Sequence, residues 1–385
     1  MASVRKRLFK NSRYFRLNAC LSIMGNDMRK LRKWRVCDCM RKLRVGSGAV
    51  SVWRYADVDG FDAHYGGLIV CGSVWICPVC AVKIQARRQC ELETVLGSSP
   101  STKILITYTI QHRLSDSLVS LLDALKDGLR HARFGKRYER LKERYKVEGY
   151  VRAIEIRWSH RTGWHPHAHE VLLVGVPADE IDLSLLRDDL GSAYMQKLQS
   201  MGYDIVNGVT VDVKVLHDVD SNSASDQASA YITKQALSPS AELSFGDTKN
   251  SRSVSLSPFQ LLDMVAETGE ALYAELFREY AHATFRKNAL TYSHGLKARY
   301  GVTEKTDEEL ADEMVENAVL VCTIDYQNWQ RVLLLDLRAE ILEVAADHPD
   351  ELIDWLAGHG IVAQSPAYTG DGVAVVSVCG ECLYA

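Results

Sequence analysis

Between Tyr150 and Val174 the chain carries two β-type runs joined by Ser159-His160-Arg161-Thr162-Gly163, and this stretch restricts the fold most tightly. A short polar turn with glycine between two such runs predicts an antiparallel hairpin. Side chains alternate across a strand, so His165, His167 and His169 share one face, while Pro166, Ala168 and Glu170 take the other. Three imidazoles at strand spacing can hold a divalent ion without ordering a loop. Hairpin pairing brings Glu155, within the otherwise apolar Ala153-Ile154-Glu155-Ile156, beside them at about 5 Å. A carboxylate there needs a partner, and completing a two-histidine, one-carboxylate cation site supplies one.

The flanking pattern supplies the rest of a layer. Lys103 to Ile110 reads as a buried strand, and Leu118, Leu121, Leu122, Leu125, Leu129 and Ala132 recur at helical spacing. Lys136 to Lys146 is a charged extension. A second helix carries Leu183, Leu186, Leu190, Tyr194 and Leu198; Val209 to Val215 alternates as a strand; Asp226 to Leu237 forms a short helix stopped by Ser238-Pro239. Strand, helix, strand, strand, helix, strand, helix is an α+β order, an antiparallel sheet with packed helices. Residues 240–257 are loop-like, residues 258–288 helical, and residues 306–358 acidic and mostly helical; a strand is expected at 373–378.

The net charge of -3 over 385 residues conceals an asymmetry. Residues 1–45 hold 14 Lys/Arg against 2 Asp (+12), and residues 302–358 hold 15 Asp/Glu against 3 Lys/Arg (-12). The basic end, with Tyr14, Phe15 and Trp34 interleaved, suits nucleic acid, with an unfolded solvated tail the rival reading of its first twenty residues. Residues 1–36 read as an arm, partly helical from about Asp27. No apolar run approaches a membrane span and no signal-peptide core opens the chain, so the cytoplasm is expected. There, five cysteines between residues 37 and 80 point to a structural Zn²⁺ rather than disulfides. Cys77-Pro78-Val79-Cys80 has the spacing of a thiolate grip, with Cys71 as third ligand and Cys37 preferred as fourth; Cys39, His64 and the distant Cys379/Cys382 pair are rivals. A strand pair at 49–55 and 66–71 is expected between these cysteines. The module would present Lys83, Arg87 and Arg88, with Arg35 of the arm, to DNA. The expected divisions are a basic arm (1–36), a zinc-binding module (37–98), a sheet domain (99–240), a helical extension (241–300) and an acidic C-terminal region (301–385).

Tyr231-Ile232-Thr233-Lys234 places a hydroxyl and an ammonium on one helix face. Tyrosine becomes a useful nucleophile toward phosphate only beside a cation and a metal. Alone this tetrapeptide is an ordinary surface pair; its weight comes from following the histidine hairpin.

Taken together, Cys71-Gly-Ser-Val-Trp75-Ile-Cys77-Pro-Val-Cys80-Ala-Val-Lys83, Trp164-His165-Pro166-His167-Ala168-His169 and Tyr231-Ile-Thr-Lys234 resemble, in that order, the rolling-circle replication initiator (Rep) proteins of small plasmids, in the HUH endonuclease superfamily. The likeness runs from about Arg35 to Leu296, including Pro258-Phe259-Gln260-Leu261-Leu262. It implies a ferredoxin/RRM-like nuclease sheet. It also implies Mn²⁺ or Mg²⁺ on His167 and His169, with Glu155 the expected third ligand and His165 a neighbour. Tyr231 would attack a single-stranded or hairpin origin, and Lys234 would offset charge on phosphate. Host helicase and polymerase would act on the 3′ hydroxyl. Relatives often carry Glu one helical turn before the tyrosine to activate water; here that position is Gln227, beside Asp226. A transposase or relaxase using the same two-part site, and a non-catalytic zinc-ribbon regulator, are the rival readings.

Overall fold

The computed structural model describes residues 2–27, 33–57, 60–205, 210–217, 224–236, 255–315 and 317–366. In chain order the strands are β1 (Ala49–Asp57), β2 (Gly60–Gly66), β3 (Thr102–Tyr108), β4 (Val147–Ser159), β5 (Gly163–Val174), β6 (Val211–Val215), β7 (Leu290–Tyr292), β8 (Val319–Asp325) and β9 (Ala363–Gln364). The helices are α1 (Ala2–Gly25), α2 (Pro78–Ser98), α3 (Leu118–Ala132), α4 (Lys136–Tyr145), α5 (Leu183–Ser200), α6 (Ala224–Ala236), α7 (Pro258–Thr268), α8 (Ala271–Thr284), α9 (Leu296–Arg299), α10 (Asp307–Asp312), α11 (Tyr326–Leu335), α12 (Arg338–Asp347) and α13 (Leu352–Gly358). They form a mixed fold of two antiparallel sheets, one in each of two compact units: residues 1–86 with 305–385, and residues 87–304.

The second unit contains the expected α+β layer, ordered β6-β3-β5-β4-β7. The long β4–β5 hairpin is its spine and runs without a break in register from Gly149↔Leu173 to Ser159↔Gly163. Direct cross-strand partners share a face, so Glu155↔His167, Ala153↔His169 and Val151↔Val171 lie on one side, joined there by Thr107 and Leu105 of β3. On that side Val151, Ala153, Val171 and Leu173 pack against Leu92, Val95 and Leu96 of α2 and Ala228 and Ile232 of α6. The opposite side is covered by α3 and α5. There Glu170, fully buried, pairs with Arg133 and, at 3.3 Å, with Arg152. An unpaired carboxylate at that depth would be costly.

The first unit departs from expectation in three places. The helix expected from about Asp27 instead ends before it, because Tyr14, Leu17, Cys20 and Met24 make an apolar stripe at helical spacing among the basic residues, and all are buried. The strand expected at 66–71 ends at Gly66, so β2 is the hairpin partner of β1, and Leu68 makes only an isolated bridge to Leu43. Within the acidic segment expected to be mostly helical, Val319–Asp325 is a strand, inserted between β1 and β9. Val50, Val52, Cys322 and Ile324 are buried across that pairing. The module read as zinc-binding and the C-terminal region thus share one sheet. The strand expected at 373–378 lies outside the described residues.

Helix α3 passes α5 at Gly128, where an added Cβ would lie 2.6 Å from the Tyr194 ring. That ring cannot yield, since its hydroxyl donates to the Thr109 carbonyl at 2.9 Å and it packs on Tyr108. Gly128→Val is therefore expected to lower stability by about 3 kcal/mol in denaturant unfolding.

Candidate metal centres

Two groups of potential ligands converge among the described residues: Cys39, Cys71, Cys77 and Cys80, and Glu155, His167 and His169. In the first, Cys39 ends a 3-10 turn (Arg35–Asp38), while Cys77 precedes α2 and Cys80 lies in its first turn. The sulfurs are close: 3.6 Å for Cys39–Cys77, 3.4 Å for Cys39–Cys80 and 3.7 Å for Cys71–Cys80. Tetrahedral Zn²⁺ with bonds of about 2.3 Å requires sulfurs about 3.8 Å apart, so the set fits zinc with slight expansion. Hydrogen bonds from Cys39, Cys71 and Cys77 bring the Cys80 thiol well below its usual value, favouring thiolate.

The preferred fourth ligand, Cys37, is corrected to Cys39. A 3-10 turn has about three residues per turn, so side chains two apart point to different sides and only one can enter the cluster. Cys37 is buried outside it. His64 sits on β2 against the Tyr55 ring, at 5.5 Å; Cys379 and Cys382 lie outside the described residues.

In the second group the β4–β5 register places Glu155 directly opposite His167. His167 Nε2 lies 2.8 Å and His169 Nε2 3.7 Å from Glu155 Oε2. Burial pushes the Glu155 carboxyl up, but hydrogen bonds from His167 and His169 and the charge of Arg157 outweigh it and bring it down to about 2. It is a carboxylate at neutral pH. Two imidazoles and one carboxylate converging on one point suit a divalent cation. His165 shares their face but stands outside the set. Its ring is tilted against that of His167, with centroids 4.9 Å apart, and faces His112, with 3.4 Å between the two Nδ1 atoms. Burial and these neighbours bring His165 down to about 4, leaving it neutral.

Three residues around this site escaped the sequence reading. Thr107 Oγ1 lies 3.0 Å from His169 Nδ1, a contact that fixes the ring with Nε2 toward Glu155, the usual way an outer residue orients a ligand. Arg157, one alternation beyond Glu155, reaches its Oε1 at 3.5 Å and donates to the Ser255 carbonyl at 2.9 Å. His112 follows β3 and meets His165. Arg157 was readable from strand alternation; Thr107 and His112 depend on which strand pairs with β5.

Tyr231 and Lys234 lie on α6, and their side chains are outside those described. Their helix packs through Ala228 and Ile232 on the face that carries Glu155, His167 and His169. Asp226 is exposed on α6, and the Gln227 amide donates to the His217 carbonyl at 2.6 Å. Among the expected DNA contacts, Arg35 pairs with Glu308, Lys83 donates to the Ala311 carbonyl at 3.2 Å and Arg88 pairs with Glu91 at 2.8 Å. Arg87 lies beside Arg88 on α2.

Two outcomes follow from this geometry. Cys39→Ser should lose bound zinc, measured by elemental analysis of purified protein, whereas Cys37→Ser should retain it. Thr107→Val should weaken Mn²⁺ binding about 10- to 100-fold by calorimetry, with the fold intact by circular dichroism.

A profile of the replication protein family, Rep_1, matches residues 69–323. The chain is 25% identical over 309 residues to "Protein rep" of Streptomyces lividans, covering 63% of this chain and 67% of that protein. It is 31% identical over 136 residues to a "Neomycin resistance protein" of Streptomyces cyanogenus, covering 28% of this chain and 31% of that one. No solved structure matches. No helix among the described residues is long and apolar enough to cross a membrane. With a profile spanning more than half its length and a histidine-carboxylate set in the expected hairpin, the chain belongs to the replication protein family, as its resemblance to the rolling-circle initiators implied.

Proposed function

We propose that this protein starts rolling-circle replication of a plasmid by nicking one strand of a single-stranded or hairpin origin. Family membership and the two-histidine, one-carboxylate set support metal-dependent nuclease chemistry in general terms. The observation that carries the finer reading is that α6, with Tyr231, packs on the same face of the sheet as those ligands. A nucleophile on the opposite face could not share a phosphate with them.

Glu155, His167 and His169 would hold Mn²⁺ or Mg²⁺, with imidazole donors favouring Mn²⁺. Such an ion supplies Lewis acidity at a phosphate oxygen. The Tyr231 phenol loses its proton and its oxygen bonds to phosphorus as the bond to the 3′ oxygen breaks. That oxygen takes up a proton, leaving a 3′ hydroxyl primer for the host polymerase and a 5′ phosphotyrosine. Lys234 offsets charge developing on the phosphate. Arg157, beside Glu155, would hold the same anionic strand in register. Reversal by a 3′ hydroxyl transfers or religates the strand, with a host helicase unwinding the duplex between the two events. Asp226, on α6, is the candidate base for termination because Gln227 cannot accept a proton. The four-cysteine set would hold structural Zn²⁺.

Tyr231→Phe should abolish the covalent adduct with an origin oligonucleotide in Mn²⁺ while leaving oligonucleotide binding within about twofold. A persistent adduct removes Tyr231 from the role. Lys234→Ala should slow nicking about 100-fold in single-turnover assays with little loss of binding. Wild-type protein that shifts single-stranded oligonucleotides in Mn²⁺ but never nicks them is instead a non-catalytic DNA-binding regulator.

A further inference from the structure

From Lys33 to Arg44 the chain carries five Lys/Arg against one Asp. Their side chains face outward, with Lys33 56%, Arg35 59%, Lys42 53% and Arg44 46% exposed. The backbone beneath them is held by Cys39 of the four-cysteine set and by the Met40 and Arg44 amides, which donate to the carbonyls of Ile69 and Gly67. From Asp307 to Glu313 the chain is the reverse, with five carboxylates and no basic residue.

These segments meet within the first unit. Arg35 pairs with Glu308, Arg44 pairs with Asp312, and Lys83 donates to the Ala311 carbonyl. Helix α10 is seated closely, with Leu310 and Ala311 buried, and a Cβ added to Gly72 would come within 2.8 Å of Glu308 Cα. Glu308 and Asp312, four residues apart, share a helix face and are separated by about 6 Å along the axis. That is comparable to the separation of neighbouring phosphates on one nucleic-acid strand.

We infer that the Lys33–Arg44 segment, with Lys83, is a docking surface for the phosphate backbone of duplex DNA, and that Glu308 and Asp312 hold Arg35 and Arg44 in the free protein. The partner follows from what the surface offers. Single strands are gripped by stacking bases on exposed aromatic rings, but Trp34, the aromatic residue of this segment, is 3% exposed and donates to Asp27. The surface presents charge without a stacking platform, as backbone recognition of a duplex requires. The masking pairs are half exposed and therefore weak and screened by salt. Duplex DNA displaces them because its phosphates release condensed counterions when bound, which a helix carboxylate does not. This rests on the DNA partner of the proposed function but not on the nicking step.

The test compares full-length protein with E308Q/D312N, using fluorescence anisotropy of a 30-base-pair duplex across a salt series. The double variant should bind about tenfold tighter near 0.1 M salt, with log affinity falling more steeply against log salt by about two. Adding R35Q/R44Q should cancel the gain. D350N/E351Q, which changes net charge equally elsewhere in the same unit, should bind as wild type. The inference is overturned if E308Q/D312N gains nothing, or if D350N/E351Q gains as much. An equal gain for a single-stranded oligonucleotide overturns the duplex assignment. Should E308Q/D312N melt well below wild type, D312N alone should steepen the slope by about one, and no change overturns the inference. Nicking of a single-stranded origin oligonucleotide in Mn²⁺ is followed in parallel: its absence sinks the functional proposal while a duplex gain leaves this surface standing.

Discussion

The register of one hairpin governs the candidate nuclease site. Glu155 lies directly across from His167, and Ala153 from His169, over a pairing unbroken from Gly149 to Ser159. A slip of one residue would send the carboxylate to the other face, because strand side chains alternate. It would also leave the imidazoles facing apolar neighbours. The apolar residues continuing along the same strands resist that slip. Val151, Ala153, Val171 and Leu173 are packed beneath α2 and α6, and Glu170 on the reverse face is committed to Arg133 and Arg152. The ligand set is therefore held by core packing on one side and by a buried ion-pair network on the other.

That arrangement explains why a costly cluster of polar side chains persists at the edge of a core. The carboxylate is kept ionised by two imidazoles, and one imidazole is oriented by Thr107 from the next strand. Arg157 adds a positive charge beside the carboxylate. A cation bound there would raise the local positive charge further. Helix α6 packs through Ala228 and Ile232 on the same side of the sheet as the ligands, through ordinary core packing.

The first unit follows a different logic. Four sulfurs within 3.4–3.7 Å of one another in three contacts tie the 3-10 turn, the Cys71 loop and the start of α2 together. Strand β8 then enters beside β1 from far along the chain. Charge of opposite sign, separated in sequence, becomes adjacent in space. The acidic C-terminal region thus joins the basic segment as one surface instead of remaining a separate tail.

Local chemistry determined much of this protein. The alternation of His165, His167 and His169, the turn at 159–163 and the helical spacing of Leu118 to Ala132 are properties of neighbouring residues, and the hairpin, the α+β order and the carboxylate opposite His167 were legible from them. Cys71, Cys77 and Cys80 were legible through their spacing. What needed the tertiary structure involved partners distant in the chain or small differences in direction. Cys39 displaces Cys37 because a tight turn rotates side chains two apart to different sides, which composition cannot register. Val319–Asp325 is a strand because β1 offers it an edge, against the acidic context that suggested helix. Thr107 and His112 join the site only once β3 is known to pair with β5. Periodicity is encoded locally, whereas the choice of partner is an energy of the whole packed fold.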